Sequence, residues 1–178
     1  MILSAQCTDA RVNLVTPQLF ARFPTAESIA RLEPEALEPY IQTCGIYHSK
    51  AKNIVNACRA IVARHGGRVP DTMDALLRLP GVGRKTANVV LAVAFARDAI
   101  AVDTHVLRVA HRLGLIRATA PAQAERQLMK VVPQRDWSKA HHWLIHHGRQ
   151  ICRARNPRCP SCMLVDLCPS AKRFLPKS

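Results

Sequence analysis

Four cysteines close to the C-terminus have the spacing of a metal site. They follow the pattern C-x6-C-x2-C-x5-C, and they are Cys152, Cys159, Cys162 and Cys168. Four thiolates at these intervals fit either a [4Fe–4S] cluster or a structural zinc ion, and the spacing alone slightly favours zinc because four-cysteine zinc sites are common. Two disulfides are a third alternative, which fits poorly with a cytoplasmic protein. The pattern therefore predicts a metal centre that staples a loop-rich C-terminus.

A turn between two helical segments contains two glycines and is followed by two basic residues. Residues 76–90 have the sequence LLRLPGVGRKTANVV, in which Pro80 ends an amphipathic segment. Glycine tolerates the positive φ values of a tight reversal, and a turn without side chains lets backbone N–H groups approach an anion at the start of the next helix. We therefore expect this turn to bind a phosphate. The contact would involve Gly81, Val82, Gly83 and Arg84.

Two other interpretations of this turn are available. A nucleotide-binding P-loop would need adjacent glycine and lysine residues after a strand, whereas Arg84 intervenes here and the preceding segment is helical. An ordinary corner between two helices explains the turn alone equally well.

Lys85 and Asp103 are the residue pair with the most specific chemistry. Most lysines are solvated surface charges, but Lys85 starts a helix beside a predicted phosphate contact, where burial and the positive helix end would both favour the neutral, nucleophilic amine. Asp103 precedes another helix, and on its own it is better interpreted as an N-cap. A lysine nucleophile, however, needs a carboxylate that takes its proton and steadies a positively charged sugar. The pair predicts attack by an amine on a sugar carbon.

Helical periodicity runs through almost the whole chain. Ile54, Val55, Cys58, Ile61 and Val62 repeat along one helix face, for which Ser49 is the expected N-cap and Gly66–Gly67 the end. No alternating strand pattern appears, so we expect an all-α protein. Besides a helix after Thr8–Asp9, further helices are expected at about 34–44, 72–79, 84–96, 104–113, 121–132 and 138–151.

Composition limits the partners and the location. Lysine and arginine total 26 against 12 acidic residues, which gives a net charge of +14 and favours a nucleic acid partner, although a ribosome-like basic protein would have similar charge. No apolar run is long enough to span a membrane, and the N-terminus lacks the features of a signal peptide. The sequence therefore predicts a cytoplasmic protein. The scattered Cys7, Cys44 and Cys58 are expected to be small core residues.

The combination of these motifs closely resembles bacterial endonuclease III. The hairpin with its lysine, the segment Val102–His105, His142–Leu144, Gly148–Arg149 and the cysteine spacing occur in that family's order, and the similarity runs from Leu3 to about Cys168. The resemblance implies a helix-hairpin-helix DNA glycosylase fold with a six-helix barrel domain at residues 1–98 and a cluster domain at 99–178. It also implies a [4Fe–4S] cluster rather than zinc. Family members carry some tens of residues before the Leu3–Gln6 segment, so the barrel domain is expected to be N-terminally truncated.

The resemblance also implies an activity and residue roles. Lys85 would be the catalytic amine and Asp103 the catalytic carboxylate of a bifunctional DNA glycosylase/AP lyase that acts on oxidised pyrimidines. Gln6 would fill the gap left by a flipped nucleotide, and Ile46 occupies the place of a wedge leucine. Further active-site candidates are Asp9 and His105.

The expected partner of such an enzyme is double-stranded DNA that contains damaged bases or abasic sites, bound by a monomer associated with the nucleoid. Lysine at position 85 argues against the adenine-mispair and thymine-mispair relatives, which lack it. Close variants of this function would act on pyrimidine dimers or bare abasic sites. A non-catalytic DNA-binding or redox-sensing module is the alternative from another class.

Overall fold

The computed structural model describes residues 1–175, and within them the chain is helical and contains no β-strand. The all-α prediction is confirmed. The α-helices are α1 (Asp9–Arg22), α2 (Ala26–Ala30), α3 (Pro34–Ile41), α4 (Tyr47–His65), α5 (Met73–Leu77), α6 (Arg84–Ala94), α7 (Thr104–Arg112), α8 (Pro121–Val131) and α9 (Trp137–Gln150). Short 3-10 turns lie at Ile2–Ser4, Gln134–Asp136, Cys159–Ser161, Val165–Leu167 and Ala171–Arg173. None of the helices of this part of the chain is long and apolar enough to cross a lipid bilayer.

Two predicted helix boundaries are wrong. Helix α4 begins at Tyr47, and its N-cap is Ile46 in a left-handed conformation with no side-chain cap, so Ser49 lies inside the helix. Helix α3 ends at Ile41, short of the predicted residue 44, because the chain tightens into a turn in which the Cys44 N–H donates to the Ile41 carbonyl at 2.8 Å. Helix α2 was not expected, since five residues are too few to show a helical period.

Contacts within the chain divide it into two compact units, Met1–Val90 and a second unit that begins at Leu91. The predicted domain boundary, after residue 98, lies further along the chain. In the first unit, α4 packs against α2 and α3. The buried residues of this core are Leu3, Leu19, Ile29, Leu37, Ile41, Ala51 and Val55. The hairpin with Lys85 belongs to this unit.

The second unit is built around α7, which packs against α8 and α9. Small and branched aliphatic residues fill its core because aromatic residues make up only 4% of the chain. The buried members are Ile100, Val102, Val106, Val109, Ala110, Ile116, Ala118, Ala124, Leu128, Ala140 and Leu144. This core fixes the start of α7, where Asp103 lies, and the end of α9, where the four-cysteine segment starts.

Two of the scattered cysteines pack as the sequence predicts. Cys44 is fully buried, and burial raises the pKa of its thiol, with a further contribution from a hydrogen bond with Cys7. Cys58 packs against the first core, and burial raises the pKa of its thiol to about 11. Both side chains therefore remain neutral thiols near neutral pH. Cys7 is half-buried beside Cys44.

Candidate active site and metal centre

The turn between α5 and α6 is a tight hairpin that depends on Gly81. The N–H of Val82 donates to the Leu79 carbonyl at 3.1 Å, and Gly81 has a φ of +74°. A Cβ at Gly81 would lie 2.8 Å from the Cβ of Asn53 in α4, closer than real side chains pack. Gly81 is therefore needed both for its backbone conformation and for the close approach of the hairpin to α4.

Gly83 differs from Gly81, since its φ is not in the left-handed region and a Cβ there would meet no atom within 4 Å. The positive φ expected of the turn is therefore required at Gly81 alone. The first helical hydrogen bond of α6 runs from the Ala87 N–H to the Gly83 carbonyl at 2.9 Å, so the amides ahead of Ala87 have no partner in the helix ladder. Gly83 leaves open space in front of this helix end.

Arg84 and Lys85 are the first two residues of α6, and both are exposed. No acidic residue lies in the first turn of α6, so the positive end of the helix and two basic side chains act together. The expected burial of Lys85 is not found in the protein by itself, because the hairpin places it at the surface. Any removal of water from this amine has to come from a bound partner.

Asp103 is the N-cap of α7 and is half-buried. Its Oδ1 atom accepts hydrogen bonds from the N–H groups of His105 at 2.9 Å and Val106 at 2.8 Å. Asp103 therefore has the N-cap role that its position in the sequence predicts. Both capping bonds are made to Oδ1, and they fix the orientation of the carboxyl group. The Oδ2 atom takes no part in capping. Asp103 belongs to the second unit and Lys85 to the first.

Arg108 connects α7 to the cysteine segment. Its Nη2 atom donates to the Gly148 carbonyl at 2.9 Å and to the Cys152 carbonyl at 3.1 Å, and it also donates to Nδ1 of half-buried His105 at 3.1 Å. The helix that Asp103 caps is therefore tied to the first of the four cysteines. Sequence reasoning missed Arg108, since a single arginine in an amphipathic helix gives no signal that distinguishes it from a solvated charge.

The four cysteines line one small cavity in the second unit. Its remaining walls are mainly apolar and include Leu113, Ile151, Val165 and Ala171. All seven cysteines of the chain are free thiols, so the structure contains neither of the two disulfides that the sequence left open. Among residues 1–175, no group of three or more His, Cys, Asp or Glu side chains has the arrangement needed to bind a metal ion directly.

The chemistry of the thiol set fits a metal centre. Burial raises the pKa of the Cys159 thiol, and the neighbouring Cys152, Cys162 and Cys168 raise it further, because four thiolates in one apolar cavity repel each other. A cationic centre would reverse this repulsion. Two N–H donors already point to sulfur: Leu164 N–H to Cys162 Sγ at 3.4 Å, and Arg112 Nη1 to Cys152 Sγ at 3.5 Å. Such donors stabilise metal-bound thiolates.

Gln6 and Ile46 share a feature that the sequence does not reveal. Both are exposed, and both have left-handed backbone, with φ values of 51° and 52°. They lie in neighbouring loops of the first unit, since a Cβ on Gly45 would be 3.7 Å from the Gln6 carbonyl oxygen. Asp9 follows in the same region as the first residue of α1, where it is exposed.

Comparison with known proteins gives the family. A family model described as HhH-GPD superfamily base excision DNA repair protein matches residues 1–134. Endonuclease III of Synechocystis sp. is 54% identical over 172 residues, which cover 96% of this chain and 78% of that relative. The chain belongs to the endonuclease III family. It is therefore a DNA glycosylase/AP lyase of base excision repair, and the resemblance stated from the motifs is confirmed.

Solved endonuclease III structures have the same fold. A trapped endonuclease III–DNA covalent intermediate, described as an estranged-adenine complex, is 48% identical with a TM-score of 0.91, and the match covers 97% of this chain and 81% of that chain. A non-covalent endonuclease III–DNA complex is 47% identical with a TM-score of 0.90 and the same coverage. The helix-hairpin-helix glycosylase fold predicted from the motifs is thus confirmed.

Proposed function

We propose that this endonuclease III family member removes oxidised pyrimidines from duplex DNA, with Lys85 as nucleophile, and then cuts the strand 3′ to the resulting site. The observation that carries the proposal is the position of Lys85. It is an exposed amine in the first turn of α6, directly after the Gly81–Gly83 turn and without an acidic neighbour in that turn. A covalent DNA intermediate has been trapped in a relative with the same fold.

DNA binding would begin at the hairpin. The open space at Gly83 would admit a backbone phosphate to the amides at the start of α6, and Arg84 would add a charge-assisted contact. This contact carries no sequence information and fixes the register of the protein on the duplex. The net charge of +14 supports the same partner, and binding should weaken steeply as salt rises.

The reaction needs the damaged nucleotide outside the duplex, because the sugar carbon is inaccessible within the stack. Gln6 and Ile46 would occupy the space that the nucleotide leaves. The Lys85 Nζ lone pair would attack C1′ while the C1′–N bond to the base breaks and the base leaves with the bonding electrons. Loss of the amine proton and opening of the sugar ring would give a Schiff base between Lys85 and C1′.

Asp103 would supply the carboxylate for these steps. It would accept the proton that the Lys85 amine loses and stabilise the positive charge that develops on the sugar. Removal of a C2′ proton from the Schiff base and departure of the 3′ phosphate oxygen then cut the strand by β-elimination. The capping bonds to Oδ1 support this role, since they hold the carboxyl group in one orientation before DNA binds. His105 and Asp9 are further active-site candidates.

The four cysteines would hold a [4Fe–4S] cluster, which family membership favours over zinc. When bound, the cluster would supply a four-point anchor for the loop. The loop and the adjoining last turn of α9 would then display exposed arginines to DNA, namely Arg153, Arg155 and Arg158 in the loop and Arg149 in the helix. Visible absorption with iron and sulfide analysis distinguishes a brown cluster protein from a colourless zinc protein.

A lesion panel with borohydride trapping tests the function. Duplexes that contain thymine glycol, a pyrimidine dimer or a bare abasic site are incubated with the cluster-loaded protein and borohydride, and Lys85→Ala serves as control. We expect a covalent adduct with thymine glycol and abasic DNA that Lys85→Ala abolishes. Salt-dependent binding without an adduct on any duplex would instead favour a non-catalytic DNA-binding module, and an adduct with dimer or abasic DNA alone would reassign the lesion.

A further inference from the structure

Ile46 has a backbone conformation that must be held in place. Its φ of 52° and ψ of 35° lie in the left-handed region, which is rare for a β-branched side chain. Such a residue is strained relative to its relaxed conformation and persists only where the surroundings fix it. Helix α4 starts directly after Ile46 without a side-chain cap, so the usual stabilisation of a helix start is missing here.

Lys50 supplies two hydrogen bonds on either side of Ile46. Its backbone N–H donates to the Ile46 carbonyl at 3.1 Å, and its Nζ atom donates to the Cys44 carbonyl at 3.3 Å. The peptide groups before Gly45 and after Ile46 are therefore both bound by one residue. These bonds restrict the rotation of the two residues between them, which are Gly45 and Ile46.

The burial of Lys50 argues against a role in packing alone. The residue is 2% exposed and is the largest of the fully buried side chains in residues 1–175. Removing an ammonium group from water is costly, and methionine would fill a similar volume without that cost. The amine is the part of Lys50 that packing does not require, and it donates a hydrogen bond to the Cys44 carbonyl at 3.3 Å.

The same turn contacts the loop that carries Gln6. A Cβ on Gly45 would be in ordinary van der Waals contact with the Gln6 carbonyl oxygen, at 3.7 Å, and Gln6 also has a left-handed φ of 51°. The turn that Lys50 holds therefore lies next to the second strained residue. We propose that Lys50 is a positioning residue that projects Ile46, and through Gly45 also Gln6, into the gap left by an extruded nucleotide. This inference rests on the function proposed above.

The test compares Lys50→Met with Lys52→Met, an exposed lysine on the same helix that serves as matched control. Nucleotide extrusion is followed by 2-aminopurine fluorescence next to a stable abasic analogue in duplex DNA, and base removal is measured in single turnover on a lesion duplex. We expect Lys50→Met to lower extrusion and duplex excision about tenfold, because the strained conformation is no longer held. Borohydride trapping on single-stranded abasic DNA should be unchanged, since that substrate has no gap to fill. Lys52→Met should behave as the unmodified protein.

A double-mutant cycle distinguishes positioning from a merely structural role. If Lys50 acts through Ile46, then Lys50→Met should have little further effect on extrusion in an Ile46→Ala background. Lys50→Arg, which retains a charged donor, should recover much of the extrusion. Additive effects, an equal loss of trapping on single-stranded DNA, or failure of both Lys50→Met and Lys50→Gln to fold would overturn the inference. Absence of trapping in the unmodified, cluster-loaded protein would instead contradict the proposed function.

Discussion

Substituting Asp103 by asparagine and by alanine separates the capping role seen in the structure from the proposed catalytic role. Asparagine presents an oxygen that can accept the same bonds from the N–H groups of His105 and Val106 at 2.9 and 2.8 Å. Asn and Asp are about equally good N-caps, so Asp103→Asn should leave the free energy of unfolding within about 0.5 kcal/mol of the unmodified value. Alanine provides no acceptor, and Asp103→Ala should cost about 1 kcal/mol.

For a chain of this length, that cost corresponds to a Tm lowered by about 2–4 °C. Activity should follow a different order. Both variants lack the carboxylate, so both should lose about 10²–10⁴-fold in single-turnover excision if Asp103 accepts a proton in the reaction.

The assay combines thermal unfolding with single-turnover excision on a thymine glycol duplex. Thr25→Ala is the matched control, because Thr25 caps α2 through a capping box with Ser28 and no reaction step involves it. We expect Thr25→Ala to lower Tm without lowering the rate. The reasoning would be refuted by an Asp103→Asn variant that retains full activity, since capping would then be the whole role of the residue.

Four further substitutions test the hairpin, the second core and the metal centre. Gly81→Ala should destabilise the protein by about 1–3 kcal/mol in denaturant unfolding, because a Cβ would lie 2.8 Å from Asn53. Gly83→Ala should unfold like the unmodified protein, since a Cβ there meets no atom, but it should bind abasic DNA about tenfold more weakly in titrations. Normal DNA affinity of Gly83→Ala would argue against a phosphate at the hairpin. Gly148→Ala should lower Tm because its Cβ would lie 3.0 Å from a methyl group of α7, and an unchanged Tm would show that α7 and α9 can separate slightly. Cys162→Ser should give poorly soluble, iron-deficient protein that no longer binds DNA, and normal binding without iron would contradict the anchoring role.

The elements with strong local signals could be predicted from the sequence. Helix α7 starts at the predicted residue because Asp103 is a good N-cap followed by an apolar face. The turn at Gly81 requires glycine for its positive φ, which is also a local property. The order of the motifs along the chain gave the family, because several independent patterns coincide in one sequence.

Features that depend on contacts between distant residues could not be predicted. Ser49 is a good capping residue by type, but α4 starts at Tyr47, directly after a left-handed Ile46. The turn before this helix start includes the Cys44 carbonyl, which accepts a hydrogen bond from the buried Lys50 amine. Lys50 lies one helical turn before Ile54, on the apolar face of α4. Its position on this face is the one feature of the sequence from which its burial could have been predicted. The exposure of Lys85 also depends on how the hairpin packs, which residue spacing does not show.

The most direct test of the account is to locate the covalent bond to DNA. Cluster-loaded protein is trapped with borohydride on an abasic duplex, digested, and analysed by mass spectrometry for the peptide that carries the sugar remnant. We expect a single modified residue, Lys85, and no adduct in Lys85→Ala. A modified peptide that contains another lysine or the N-terminal amine, with Lys85 unmodified, would contradict it.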